Sequence, residues 1–195
     1  DIIVGTQMLA KGHDFPNITL VVLLNSDGLF FANDFRADEK LAQLLMQVSG
    51  RAGRGEKRGK VLVQTMFPDN ALFHQLPKIG YQAYAQEALE VRQILNLPPY
   101  SYQILIQVEA RSESEATSYL EGLLNHIEPD PQVEITPVMP NNLKRRQGFY
   151  RVHVILQSEK RSALHRMAYQ IRRLYEANIR SNIRLLIEVD PIDFT

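Results

Sequence analysis

Apolar residues in this chain follow two rhythms, and the change between them falls near the Pro98-Pro99 pair. Residues 2–4 and 20–24 are unbroken apolar runs, the pattern of strands buried on both faces of a parallel sheet. Leu41, Leu44, Leu45 and Val48 follow at helical spacing. Asp38 and Glu39 fall in the first turn of that helix, where acids favour the helix dipole, and Gly50 is predicted to end it. Residues 60–66 read as another strand. Pro68-Asp69-Asn70 opens a short helix, and a further helix over 81–95 stops before the two prolines. Strands alternating with helices predict an α/β region built on a parallel sheet.

After the prolines the period becomes two. Tyr102, Ile104, Ile106, Val108 and Ala110 alternate with Gln103, Leu105, Gln107 and Glu109, which predicts a strand with one face on a core. Ser112-x-x-Glu115 has the spacing of a capping box, ahead of an apolar stripe at Ala116, Tyr119, Leu120, Leu123 and Leu124. Residues 133–138 read as a short strand, and Tyr150, Val152, Val154 and Leu156 alternate again. Leu164, Met167, Ile171, Leu174 and Tyr175 form a second stripe, before a last strand at Ile183, Leu185, Ile187 and Val189. The order β-α-β-β-α-β predicts a ferredoxin-like α+β domain, one antiparallel sheet with both helices on one face. The expected division is therefore an α/β domain over 1–79, a connecting helix and linker over 80–98, and the second domain over 99–195.

Composition narrows this only a little. The 195 residues can bury two small cores, and 22 basic residues balance 22 acidic ones. A zero net charge argues against a protein that coats DNA along its whole surface. The balance is uneven along the chain: residues 144–180 hold ten basic side chains against two acids, net +8, whereas 109–134 hold seven acids against one base, net −6. No cysteine is present, and the five histidines show no metal-ligand spacing, so no metal is assigned. No apolar run is long enough for a membrane span. Asp1 runs straight into a strand pattern, which points to a chain taken from a longer one.

The chemistry concentrates in Gln47-Val48-Ser49-Gly50-Arg51-Ala52-Gly53-Arg54. Guanidinium groups stay charged and offer a planar fork of donors to phosphate oxygens, and the glycines let a ligand approach the backbone. No G-x-x-x-x-G-K-[ST] phosphate loop occurs, so the arginines are expected to serve a nucleotide held mainly elsewhere. Upstream stands Val4-Gly5-Thr6-Gln7-Met8-Leu9-Ala10-Lys11-Gly12-His13-Asp14-Phe15-Pro16. Asp27, following a predicted strand before Gly28, reads as a turn-former or as a residue that assists coupling.

These two segments, with Asp34-Phe35-Arg36-Ala37 and Val189-Asp190-Pro191, resemble superfamily 2 helicases and, more closely, the primosomal protein N′ family of replication-restart DNA helicases. The resemblance spans nearly the whole chain. It implies that residues 1–79 are the C-terminal part of a second RecA-like motor lobe carrying motifs V and VI. Arg54 and Arg51 would then reach the γ-phosphate of ATP bound on another lobe, as finger residues worth about 10³–10⁵ in rate. Gln47 would couple that site to DNA, Gly12 and Asp14 would lie near the ribose and the fingers, and Thr6, Gln7 and Lys11 would face single-strand phosphates. ATP and Mg²⁺ are the implied cofactors. Zinc belongs to an insertion of the full-length family that precedes Asp1.

Implied partners are single-stranded and forked DNA, the single-strand-binding protein with its acidic tail, other primosomal proteins and the replicative helicase loader, in the bacterial cytoplasm at the nucleoid. On the helix expected over 160–175, Arg161, His165 and Arg172 share a face away from the core stripe. That face reads either as a solvated surface or as a dock for phosphates or an acidic peptide. The chain alone is expected to lack ATPase activity. The alternative is a nucleic-acid- or protein-binding module with a degenerate motor lobe.

Overall fold

A two-stranded parallel sheet opens the architecture, and parallel strands need a crossover. In the computed structural model, which describes residues 2–6, 18–30, 34–50, 52, 59–192 and 194, β1 (Leu20–Leu23) pairs with β2 (Lys60–Val63) in the register Leu20↔Lys60 to Leu23↔Val63. The connection carries α1 (Asp27–Phe30) and α2 (Ala37–Ser49). Asp34 starts α2: its Oδ1 accepts the Arg36 N–H at 2.9 Å, its backbone carbonyl accepts from Ala37, and Lys40 Nζ lies 2.6 Å from Oδ2. Leu41, Ala42 and Leu45 turn inward against Leu72 and Leu76, with Leu23 and Val63 of the sheet packed alongside. Leu44 of the predicted stripe is only half-buried, and Ala42 takes the inner position.

Two expectations fail here. Residues 2–4 form no strand, and Ile2 and Val4 are exposed. An apolar run becomes a strand only beside a sheet edge, and no described strand pairs with this one. The run at 20–24 is a strand, but it is not buried on both faces. Leu20, Val22 and Leu62 lie about half-exposed on one side, while the α2 side alone is covered.

The two helices predicted on either side of residue 80 are both present within α3 (Ala71–Ile94), and Gly80, whose φ of 76° and ψ of 167° are not helical, kinks the chain between them. Asn70 caps its start, its Oδ1 accepting the Leu72 N–H at 2.9 Å. The chain forms two compact units, residues 1–91 and residues 92–195.

In the second unit, β3 (Tyr102–Ala110), β4 (Glu134–Ile135), β5 (Met139–Arg146), β6 (Phe149–Ser158) and β7 (Arg184–Val189) make one antiparallel sheet in the order β4-β6-β3-β7, with β5 also on β6. Helices α4 (Glu113–Asn125) and α5 (Arg161–Ala177) pack on the same face. Ile104, Ile106 and Val108 of β3 meet Val154 and Leu156 of β6, under Leu120, Leu164, Met167 and Ile171. Full burial of each such side chain contributes about 1.5–3 kcal/mol. Ser112 caps α4 as predicted, accepting the Glu115 N–H at 3.2 Å. The Glu115 carboxylate accepts instead from Asn182 Nδ2, across to the stretch before β7.

The chain as described is thus a mixed α/β protein with a small parallel sheet and a five-stranded antiparallel one. The expected strand at 133–138 shrinks to two residues. Strand β5, which the sequence pattern did not predict, joins β6 through a turn at Gln147 (φ 50°) and Gly148 (φ 84°). Two left-handed residues in succession match the twist of a hairpin. Four residues of β5 lie between Pro140 and Arg145 where β6 has one, so the strand carries a large bulge and has no clean alternation.

Candidate functional sites

Helix α2 precedes the arginine segment in the sequence. Its hydrogen bonding continues past its last residue, from Gly50 N to Met46 O at 3.0 Å and from Ala52 N to Val48 O at 3.1 Å. Gly50 has an ordinary helical φ of −69°, so it is not there to make a left-handed turn. Gln47 is exposed one turn earlier, and Thr6 is exposed in a non-regular segment. The other residues assigned to the nucleotide and single-strand sites, Arg51, Arg54, Gly12, Asp14, Gln7 and Lys11, lie outside the described residues.

At the carboxyl ends of β1 and β2, Asp27 ties the strands together. Its Oδ1 accepts from Thr65 Oγ1 at 2.5 Å, and its Oδ2 accepts the Met66 N–H at 2.8 Å. Ser26 Oγ donates to Gln64 O at 2.8 Å beside it. Both carboxylate oxygens are therefore engaged across the sheet rather than within a local turn.

On α5, Arg161, His165 and Arg172 share the exposed face that the spacing predicts. The structure pairs two of them internally. Arg161 meets Asp190 at 2.8 Å and lies 4.2 Å over the Tyr102 ring, while Arg172 Nε donates to Glu176 at 2.7 Å. The hydrogen bond to Glu176, reinforced by its charge, raises the Arg172 pKa. Arg166 likewise meets Asp130 at 2.6 Å. The Gln132 backbone N–H first, and Arg166 second, hold the Asp130 carboxyl below its usual range. Exposed pairs of this kind exchange readily with other ions, so they tune the face rather than close it.

The sheet face away from the helices carries groups that periodicity treats as solvent-facing. Gln103, Gln107, Arg151, His153 and, from the β5 bulge, Asn141 are all buried. Gln107 Nε2 donates to Glu109 at 3.4 Å, Asn141 Nδ2 donates to Gln107 Oε1 at 2.6 Å, and His153 Nδ1 lies 2.8 Å from Asn141 Oδ1. Glu109 can only accept, so the chain of donors has one direction, and the proton of neutral His153 sits on Nδ1. Its Nε2 is then a buried acceptor with no hydrogen-bond partner among the described residues. Burial pushes the imidazole below the ordinary histidine pKa.

At the β5–β6 turn, the guanidinium groups of Arg111 and Arg184 lie 4.2 Å and 4.3 Å from the centroid of the Phe149 ring, which is itself buried. Arg145 lies 5.4 Å over Tyr150 on the same hairpin. The arrangement at Phe149 has no sequence signal, because Arg111, Phe149 and Arg184 lie far apart along the chain. Among the described residues no group of three or more His, Asp or Glu is placed to hold a metal ion, and no helix is long and apolar enough to cross a membrane.

Residues 93–192, a mixed α/β domain of five antiparallel strands and two covering helices, match the family model described as the primosomal protein N C-terminal domain. The chain belongs to that family. It is similar over its whole length to the replication restart protein PriA of Haemophilus influenzae, with 41% identity, and to that of Rickettsia felis, with 32%. The replication restart protein PriA of Bacillus subtilis is 32% identical over 98% of the chain. In these relatives the chain spans 27%, 30% and 24% of the length.

Proposed function

We propose that this chain supplies the nucleotide-sensing end of a second motor lobe and the terminal docking domain of an ATP-dependent, replication-restart DNA helicase. The observation that carries the reading is α2, which lies in the crossover between two parallel strands and whose hydrogen bonding continues to Gly50 and Ala52, in a chain similar throughout to replication restart proteins. The parallel pair supports a RecA-like lobe over 1–79, joined through 80–98 to a ferredoxin-like domain over 99–195. The strand order β4-β6-β3-β7, with two helices on one face, supports the latter.

Arg54 and Arg51 act as fingers on the γ-phosphate of ATP, and Gln47 beside them relays the state of that site. Gly12 and Asp14 flank it, while Thr6, Gln7 and Lys11 meet the phosphates of single-stranded DNA, contacts that position without reading sequence. ATP with Mg²⁺ is held chiefly by another lobe. Of the nucleotide-site candidates only Gln47 lies among the described residues, and it is exposed. The α5 face with Arg161, His165 and Arg172 docks DNA or the acidic tail of a single-strand-binding protein, and other primosomal proteins and the helicase loader complete the set of partners in the bacterial cytoplasm.

ATP hydrolysis tests the reading. The 195-residue chain alone is expected to show no DNA-stimulated ATPase, and activity that follows it through successive columns would overturn the half-site assignment. In the intact helicase, Arg54→Ala is expected to cut turnover by at least about 10³ with little change in nucleotide binding. Unchanged turnover would remove the finger role.

A further inference from the structure

We propose that Arg111 and Arg184, held over the Phe149 ring beside the β5–β6 turn, form a clamp for the phosphates of a nucleic-acid backbone. The inference deepens the reading of the chain as part of a DNA-acting protein and rests on it. Two cations converge on one buried ring, 4.2 Å and 4.3 Å from its centroid. Charges of one sign gathered in this way repel, and the described residues do little to relieve them. Arg184 meets Glu109 only at 3.7 Å, and that carboxylate also accepts from Gln107. Arg111 has no carboxylate within ion-pair distance among the described residues. An incoming anion would offset the repulsion.

Stacking also selects the kind of anion. It occupies the flat face of each guanidinium and leaves the N–H edge free for oxygen, so the fork is held ready and loses little freedom on binding. Arg111 is exposed, and the Arg184 side chain is 60% exposed, so those edges reach solvent. Register places Arg145 opposite Tyr150, next to the ring, and the Arg145 side chain is exposed. Three exposed arginines at one sheet end fit the repeated charges of a phosphodiester strand better than one peptide carboxylate.

The test uses the 195-residue chain, fluorescein-labelled forked DNA and fluorescence anisotropy, with salt raised from about 50 to about 200 mM. The expected result for Arg111→Ala/Arg184→Ala is a plot of log affinity against log salt about two units shallower, with roughly tenfold or greater weakening at low salt. Arg111→Ala alone is expected to lower the slope by about one, and it keeps the test decisive if the double variant fails to fold. Arg111→Lys/Arg184→Lys should keep the charge-dependent slope but bind less tightly. Unchanged slope and affinity in a folded variant would overturn the clamp while leaving the motor reading intact. Failure of the wild-type chain to bind DNA at low salt would also overturn it, and the ATPase test would still judge the motor reading separately. A loss confined to binding of an acidic peptide, with DNA binding unaltered, would overturn it as well.

Discussion

His153 donates its Nδ1 proton to Asn141 Oδ1 across 2.8 Å, and this one bond fixes both the tautomer of a buried imidazole and the fold of the β5 bulge over the sheet. Asn141 in turn donates to Gln107, so the amide cannot flip without breaking two bonds. Protonating His153 would place a charge at Nε2, where no described group accepts it.

The first prediction concerns acid. The folded pKa of His153 is depressed, so the unfolded chain binds the proton more readily. The neutral network's contribution is complete above the ordinary histidine value of about 6.5 and declines as pH falls through it toward the folded value. Urea unfolding from about pH 7 to about pH 5 should therefore show falling stability, and His153→Asn, which keeps a donor near Nδ1 but does not titrate, should flatten that fall. An equal pH slope in both proteins would refute the assignment.

Asp27 offers a second test. Asp27→Ala leaves Thr65 Oγ1 and the Met66 N–H without their acceptor and should cost about 2 kcal/mol, with Thr65→Val costing less. Denaturant melts of the 195-residue chain measure both. A cost under about 0.5 kcal/mol for Asp27→Ala would mean that water replaces the tie between the strand ends.

Two glycines of the first unit, Gly80 and Gly50, should behave in opposite ways. At Gly80, φ is 76°, so Gly80→Ala should destabilise by about 1–2 kcal/mol. At Gly50 the backbone is helical and an added Cβ would meet Met46 O at 3.4 Å, so Gly50→Ala should stay within about 0.5 kcal/mol of wild type or gain stability. Thermal melts of the pair compare them directly.

Ile171→Ala removes a fully buried side chain from α5 against β3 and β6. Loss of transfer energy together with the cavity should cost about 2–5 kcal/mol in a chemical melt. A smaller loss would show that the helix collapses to fill the space.

Periodicity carried far where one face of an element meets one core. Leu41 and Leu45 on α2, Leu120 and Leu123 on α4, and Ile104, Ile106 and Val108 on β3 lie where spacing puts them. It failed where burial is two-sided or one-sided against type. Gln103 and Gln107 look like solvent positions because nothing local announces the bulge and loop that cover them, whereas Val22 and Leu62 look doubly buried and are not. Strand β5 escaped because Pro140-Asn141-Asn142 breaks the alternation that would have marked it. The arginine segment rests on local glycine and arginine spacing alone, since Arg51 and Arg54 lie outside the described residues. The tie at Asp27 was not, because its partners lie 38 and 39 residues away.

The Phe149 ring has one more consequence. An aromatic ring circulates its electrons in a magnetic field, and protons held over its face resonate upfield of their usual position. The Nε protons of Arg111 and Arg184 should carry that displacement in the folded chain. Anything that draws either guanidinium off the ring would return its signal toward the ordinary arginine position, so these protons would report binding at the proposed clamp.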